Sequence, residues 1–389
     1  MEKIKISKEE FKKRIELIRN KMVENNIGVF LVYGDEYRKE NLRYVSNYWP
    51  IFERGALLIG LEGEPVLLCA PEGQKVAEEM SVWTDIRLSP DFLCVTVPDV
   101  IDYPQAEYTG FKKLAEEFGR EEMSVAVAGI DAMPVNLCEK IKTAFGKELL
   151  DGSQVLYDLR KTKSADEIAC LKEAAHMAES GFRALMETDL IGMTELAAAG
   201  IAERAARQAG AEHVIFNILA SGERTNTIVG RPSDKVIEDG DMIMCALAVQ
   251  YEGYVATCEI PFAVGNYSSE TKRVLDVLIK ALKAGKPHLR AGVPMRKFVV
   301  AVKQVFREEN LEEFDVYPPL HGIGCAEAES PYPDEKTEEV FKEGMTVNTD
   351  ISLFGLAGGS NRIEEGFVIT ENGAESLSPF IDLYCEQWT

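Results

Sequence analysis

The stretch 240–265, GDMIMCALAVQYEGYVATCEIPFAVG, constrains the fold more than any other part of the chain. Two β-rich runs, 243–250 and 254–264, flank the turn Tyr251-Glu252-Gly253, and this pattern predicts a hairpin. Side chains two apart on a strand share a face, which puts Ala246 and Ala248 together on the first run, and Thr257 and Glu259 together on the second. One carboxylate therefore stands among small and neutral groups.

The sequence around the hairpin is helical and extended by turns. Ser164 with Glu167 three residues later is a capping box, and Ile168, Leu171, Ala175, Ala178 and Phe182 continue as a helical stripe. Helices are expected over 194–208, 268–284 and 295–308, with extended segments at 214–219, 346–353 and 366–369, so the second half reads as helices laid on an antiparallel sheet. Upstream, Ser7 precedes Phe11, Ile15, Ile18 and Met22 at helical spacing. Strands are then expected at 27–33, 41–45, 56–60, 66–69, 85–88 and 124–129, with helices at 74–80, 109–118 and 135–144. That alternation predicts an α/β domain with a central sheet. At 389 residues the chain exceeds one core of ordinary size, and we divide it into domains 1–155 and 156–389.

The formal charge is −22, from 65 acidic and 43 basic residues. Such a surface repels phosphate backbones and anionic lipid, which argues against nucleic-acid and membrane partners. Met1-Glu2-Lys3-Ile4 opens directly into charged sequence and no run approaches a membrane span, so a cytoplasmic protein is expected. The eight cysteines lack ligand-like spacing and read as buried free thiols.

Several short motifs occur in one order: Arg160-x-x-Lys163-Ser164-x-x-Glu167-Ile168, Gly240-Asp241 with Gly253-Tyr254, His321-Gly322-Ile323-Gly324, Gly344-Met345, Arg362-Ile363-Glu364-Glu365, and Thr370-Glu371-x-Gly373. Together they resemble the creatinase/prolidase/aminopeptidase P family, the pita-bread hydrolases, across essentially the whole chain. The resemblance implies an N-terminal creatinase-type α/β domain before a C-terminal pita-bread domain, an antiparallel curved sheet covered by helices, in a homodimer. Peptidases of this family hold two divalent metals with Asp, Asp, His, Glu and Glu. Matched position by position, this chain has Ala246 and Thr257 for the aspartates, then His321, Asp350 and Glu364. A methyl and a hydroxyl cannot replace two carboxylates, so no cofactor is expected, the alternative being a single divalent metal on His321, Asp350 and Glu364. The family's two proton-shuttling histidines are replaced by Val229 and Ala328.

Creatinase is the metal-free member of the family, and two further matches resemble it. Glu259 follows Gly253-Tyr254 at its spacing, and Phe52-Glu53-Arg54 resembles the Phe-x-Arg that grips a substrate carboxylate from across the dimer. Tyr332 takes the place of a second substrate-gripping arginine. The site expected on this basis has His321, Glu259 and Glu364 as catalytic residues, and Phe52, Arg54, Glu259, Asp350 and Tyr332 binding substrate. Glu259 would meet a substrate cation, or else pair with a local arginine; His321 would move the proton, or else be a structural relic. His213 is a replacement base of lower rank, and Cys258 points away from Thr257. The leading expectation is a metal-independent, creatinase-like hydrolase of a C–N bond in a small amino, guanidino or amide carboxylate. The alternatives are a Xaa-Pro aminopeptidase or dipeptidase with a reduced metal site, acting on a dipeptide, and a non-catalytic small-molecule binding protein.

Overall fold

The computed structural model describes residues 3–93 and 107–388, and these fall into two compact units, Ile6–Arg160 and Lys161–Thr389 with Met1–Lys5. The division expected after residue 155 falls inside the helix Ser153–Arg160, which runs on to the first unit's last residue.

The first unit is built on a six-stranded mixed sheet. Ile27–Asp35 lies near its middle, antiparallel to Arg54–Gly60 on one side and parallel to Ser124–Ala128 on the other. Its pattern is buried almost throughout, as expected for a strand covered on both faces. The opening helix, Lys8–Glu24, starts where Ser7 accepts from the Glu10 amide, and it buries Phe11, Ile15, Ile18 and Met22. One expectation is corrected here: residues 41–45 are not a strand but part of the helix Glu40–Ser46. Every residue from Asn41 to Ser46 is buried, so no polar face remained to reveal the helical period.

The second unit opens with the helix Ala165–Met186. Ser164 accepts from the Glu167 amide at 3.3 Å, and the Glu167 carboxylate accepts from the Ser164 amide at 2.8 Å. Glu167 also accepts from the Tyr254 hydroxyl at 2.8 Å, tying the start of the helix to the hairpin. We expect Ser164→Ala to lower unfolding free energy by about 1 kcal/mol, read as a shift of the urea midpoint without a change in slope.

The hairpin forms from Met242–Tyr251 and Tyr254–Cys258, with Ala248 opposite Thr257 and Tyr251 opposite Tyr254. The second run does not continue to residue 264 as one strand. It leaves the ladder after Cys258, and Phe262–Ala263 returns to pair with Met242 and Ile243. His213–Ser221 covers the other edge of Met242–Tyr251. Residues 346–353 divide at Asp350: Thr346–Thr349 pairs with Leu320–Gly322 and Gly366–Ile369, whereas Ile351–Leu353 pairs with Asn361–Ile363. All these pairings are antiparallel, and the helices Ala165–Met186, Glu195–Ala209, Ser269–Gly285 and Arg296–Glu308 supply apolar faces buried in this unit. Among the described residues, seven cysteines are free and all but Cys138 are buried, while Cys94 lies outside them. No described helix is long and apolar enough to cross a membrane.

Candidate active site

The point where the hairpin leaves its ladder brings the second unit's candidate residues together. Glu259 and Glu364 exchange backbone hydrogen bonds, the Glu259 amide donating at 3.3 Å and the Glu364 amide at 3.1 Å. Arg362, two residues before Glu364 and therefore on the same face, lays its guanidinium across both carboxylates. Its Nε lies 2.5 Å from Glu259 Oε2 and 3.1 Å from Glu364 Oε1. Glu364 Oε2 accepts from Asn348 Nδ2 at 3.0 Å, and Asn348 lies opposite His321 in the strand register.

The cation that Glu259 was expected to take from a substrate is thus supplied from within the chain. Glu259 is 0% exposed; its Oε2 is the counter-ion of Arg362, and its Oε1 has no hydrogen-bond partner. Burial pushes its carboxyl well above the ordinary carboxylate range, and Glu364 and Asp350 add to this against the pull of Arg362. Glu364 is also raised, first by burial. One guanidinium does not fully offset the burial of two carboxylates, so both are held above the ordinary carboxylate range. Asp350 is raised to about 6, by burial and then by Glu364.

His321 is buried beside this cluster. Its Nδ1 lies 2.8 Å from the Gly322 carbonyl, which assigns the proton to Nδ1 and leaves Nε2 as the lone pair. Nε2 faces Glu327 Oε1 at 3.8 Å, and the same oxygen accepts from the Thr257 hydroxyl at 3.2 Å. Burial alone would lower the imidazole, but Glu327, the Gly322 carbonyl, Glu364 and Asp350 together hold it above its ordinary value. Glu327 was missed in the sequence because it sits in an irregular segment after Leu320–Gly322, where no periodicity marks a face. Tyr317 was missed too; its phenol feels Arg362, Asp350, Glu364 and Glu259. Tyr332 is 60% exposed, with its ring centroid 6.5 Å from that of His321.

Phe52 and Arg54 belong to the other unit. Phe52 is exposed and adopts φ 63°, while Arg54 is half-buried and donates to the Leu93 carbonyl at 3.2 Å. His213 begins the strand His213–Ser221, opposite Gln250, and Val229 is exposed.

A model of the metallopeptidase family M24 matches residues 169–371, and one of the creatinase/prolidase N-terminal domain matches residues 14–162. The chain belongs to metallopeptidase family M24. The uncharacterized peptidase YqhT of Bacillus subtilis (strain 168) is 30% identical over 232 residues, 59% of this chain and 66% of that protein. A Xaa-Pro dipeptidase of Pyrococcus furiosus is 25% identical over 371 residues, 94% of this chain and 98% of that one. The crystal structure of the prolidase from Pyrococcus horikoshii OT3 superposes with a TM-score of 0.81 at 23% identity, over 94% of this chain and 98% of that chain. This likeness shows the expected fold, a creatinase-type domain followed by a pita-bread domain.

The M24 family name implies metal, and the residues of this site do not fit a dinuclear centre. Ala246 and Thr257 bring no carboxylate, the Thr257 hydroxyl already donates to Glu327, and both oxygens of Glu364 are engaged by Arg362 and Asn348. His321, Asp350 and Glu364 do not gather as a set for one ion either: among the described residues, no group of three or more His, Cys, Asp or Glu side chains is placed to hold a metal.

Proposed function

We propose that this M24 chain hydrolyses a C–N bond in a dipeptide-sized substrate with a free carboxylate, Xaa-Pro dipeptides first among them, using its own side chains and no dinuclear metal centre. The peptidase relatives support the Xaa-Pro class over a guanidino substrate. Arg362 already engages Glu259 Oε2, which leaves only Oε1 of that carboxylate for any other partner. The observation that carries the reading is His321, held by the Gly322 carbonyl at Nδ1 and facing Glu327 at Nε2.

In this mechanism Nε2 takes the proton of an attacking water and returns it to the leaving nitrogen. Asp350, raised to about 6, is the neighbouring acid. Arg362 keeps the surrounding carboxylates from repelling the anionic intermediate. Tyr332 packs the substrate beside the imidazole, and the carboxylate end is assigned to Phe52 and Arg54, contributed by a second copy of the chain. The base must be neutral, so kcat/KM should rise with pH through the titration of His321.

His321→Asn is expected to cut kcat/KM on Ala-Pro by about 10²–10⁴-fold. Glu327→Gln removes the group that raises His321 most, so the acid limb of its pH profile should move to lower pH. Chelator-treated protein should keep its turnover. Loss of turnover in chelator with return in Mn²⁺ would sink the mechanism, and binding of Ala-Pro without turnover would make this a binding protein.

A further inference from the structure

Between the helix Glu40–Ser46 and the strand Arg54–Gly60, residues 47–53 form a strap in which Tyr48, Pro50 and Glu53 are buried and the tip is exposed. Tyr48 is 0% and Glu53 2% exposed, whereas Ile51 and Phe52 between them stand out in solvent, Phe52 at φ 63°. Bulky side chains rarely hold this left-handed conformation without support from their surroundings.

The support has an unusual chemistry. The Tyr48 hydroxyl and both carboxyl oxygens of Glu53 are buried with no hydrogen-bond partner. Both side chains seat against Gly73, where a Cβ would come within 2.7 Å of Tyr48 Oη and 2.8 Å of Glu53 Oε2. The titratable groups that bear on Glu53 are Tyr48 on the strap, Cys69 on the strand Val66–Cys69, and Glu72 on the turn Pro71–Gly73, with Glu78 of the helix Gln74–Met80 acting on Cys69. All are neutral or acidic. Apart from the Gly73 amide and the Tyr48 hydroxyl, a carboxylate in that setting meets no donor and no cation among the described residues, so the seat favours Glu53 as the acid over the anion.

We propose that residues 48–53 are a proton-controlled latch: protonated Glu53 holds the strap against Gly73, and ionisation of Glu53 lifts it and frees the Phe52 tip. Burial, then Glu72, push Glu53 up to about 7. The Gly73 amide, which already donates to the Ala70 carbonyl at 3.1 Å, offsets only part of this. For a carboxyl raised in the closed form, closure is fully supported below the ordinary carboxylate value and fades as pH rises through about 7. Phe52 and Arg54 border Glu53, so the latch would govern how they are presented. That consequence rests on the proposed function, whereas the latch itself does not.

The test is hydrogen exchange on the full chain, followed by mass spectrometry of peptides covering residues 47–54 and corrected for intrinsic exchange. The Asn47 and Tyr48 amides, which donate to Arg43 O at 2.8 Å and Ser46 Oγ at 3.1 Å, are the reporters. Between pH 6 and pH 8 the wild-type segment should lose about tenfold in protection, by proton linkage. Glu53→Gln, neutral at every pH, should show no such loss. Gly73→Ala, whose Cβ intrudes on both Tyr48 and Glu53, should be poorly protected at both pH values. A flat wild-type profile, a Gln variant that follows the wild type, or a fully protected Ala variant would each overturn the latch. None of these readouts needs substrate turnover, so loss of the hydrolase reading would leave the test intact.

Discussion

Replacing Arg362 with methionine should lower unfolding free energy by about 3–5 kcal/mol, the usual cost of removing one partner from a buried charge cluster. The guanidinium is 4% exposed, lies 2.5 Å from Glu259 and 3.1 Å from Glu364, and is felt by Asp350. Methionine keeps much of the apolar stem and so isolates the loss of charge. Without the cation, Glu259 and Glu364 must be neutralised by protons or draw water inward, and either response costs free energy that folding loses. The variant carrying Glu259→Gln as well should recover part of the loss, because one of the stranded carboxylates is then gone. Urea unfolding of the three proteins measures this, and a loss below about 1 kcal/mol for Arg362→Met would mean that water, not Arg362, balances the pair.

This cluster shows how far the sequence could be read. Alternation along the hairpin put Glu259 on a face with Thr257, whereas the ladder ends at Cys258 and Glu259 bridges to Glu364 instead; pairing of Glu259 with a local arginine was one of the two open readings. What the sequence could not weigh was distance. Arg362 is 103 residues away from Glu259, and it is aimed there by the pairing of Ile351–Leu353 with Asn361–Ile363 and by the backbone bridge between Glu259 and Glu364. Gln74–Met80, Gly366–Ile369 and Arg296–Glu308 were legible almost to the residue, the last through its one-sided apolar stripe Phe298, Val299, Val302, Val305 and Phe306. Glu40–Ser46, buried from Asn41 onward, was not, since burial on every side erases the pattern that separates helix from strand. Glu327 escaped for another reason: a loop carboxylate gains its meaning from Thr257 and His321, which reach it from other segments.

Restoring both missing aspartates, Ala246→Asp with Thr257→Asp, should make the protein depend on divalent metal. Ala246 is 0% and Thr257 3% exposed, so both new carboxylates would be buried, the one at Thr257 against Glu327. Thr257→Asp also exchanges a hydroxyl that donates to Glu327 for an anion that repels it. In chelator the doubly substituted chain should therefore lose several kcal/mol, on the scale of uncompensated buried charge. A pair of divalent ions reverses the balance by bringing about four positive charges and a demand for carboxylate oxygen. Addition of Mn²⁺ or Zn²⁺ should then raise Tm by the amount lost in chelator, with metal bound stoichiometrically by elemental analysis. The wild-type Tm should not respond to either treatment. If the substituted chain takes up no metal, the match of Ala246 and Thr257 to ligand positions is wrong. If wild-type Tm falls in chelator, its present residues already hold an ion, and the charge balance assigned to Arg362 would have to be redrawn around that ion.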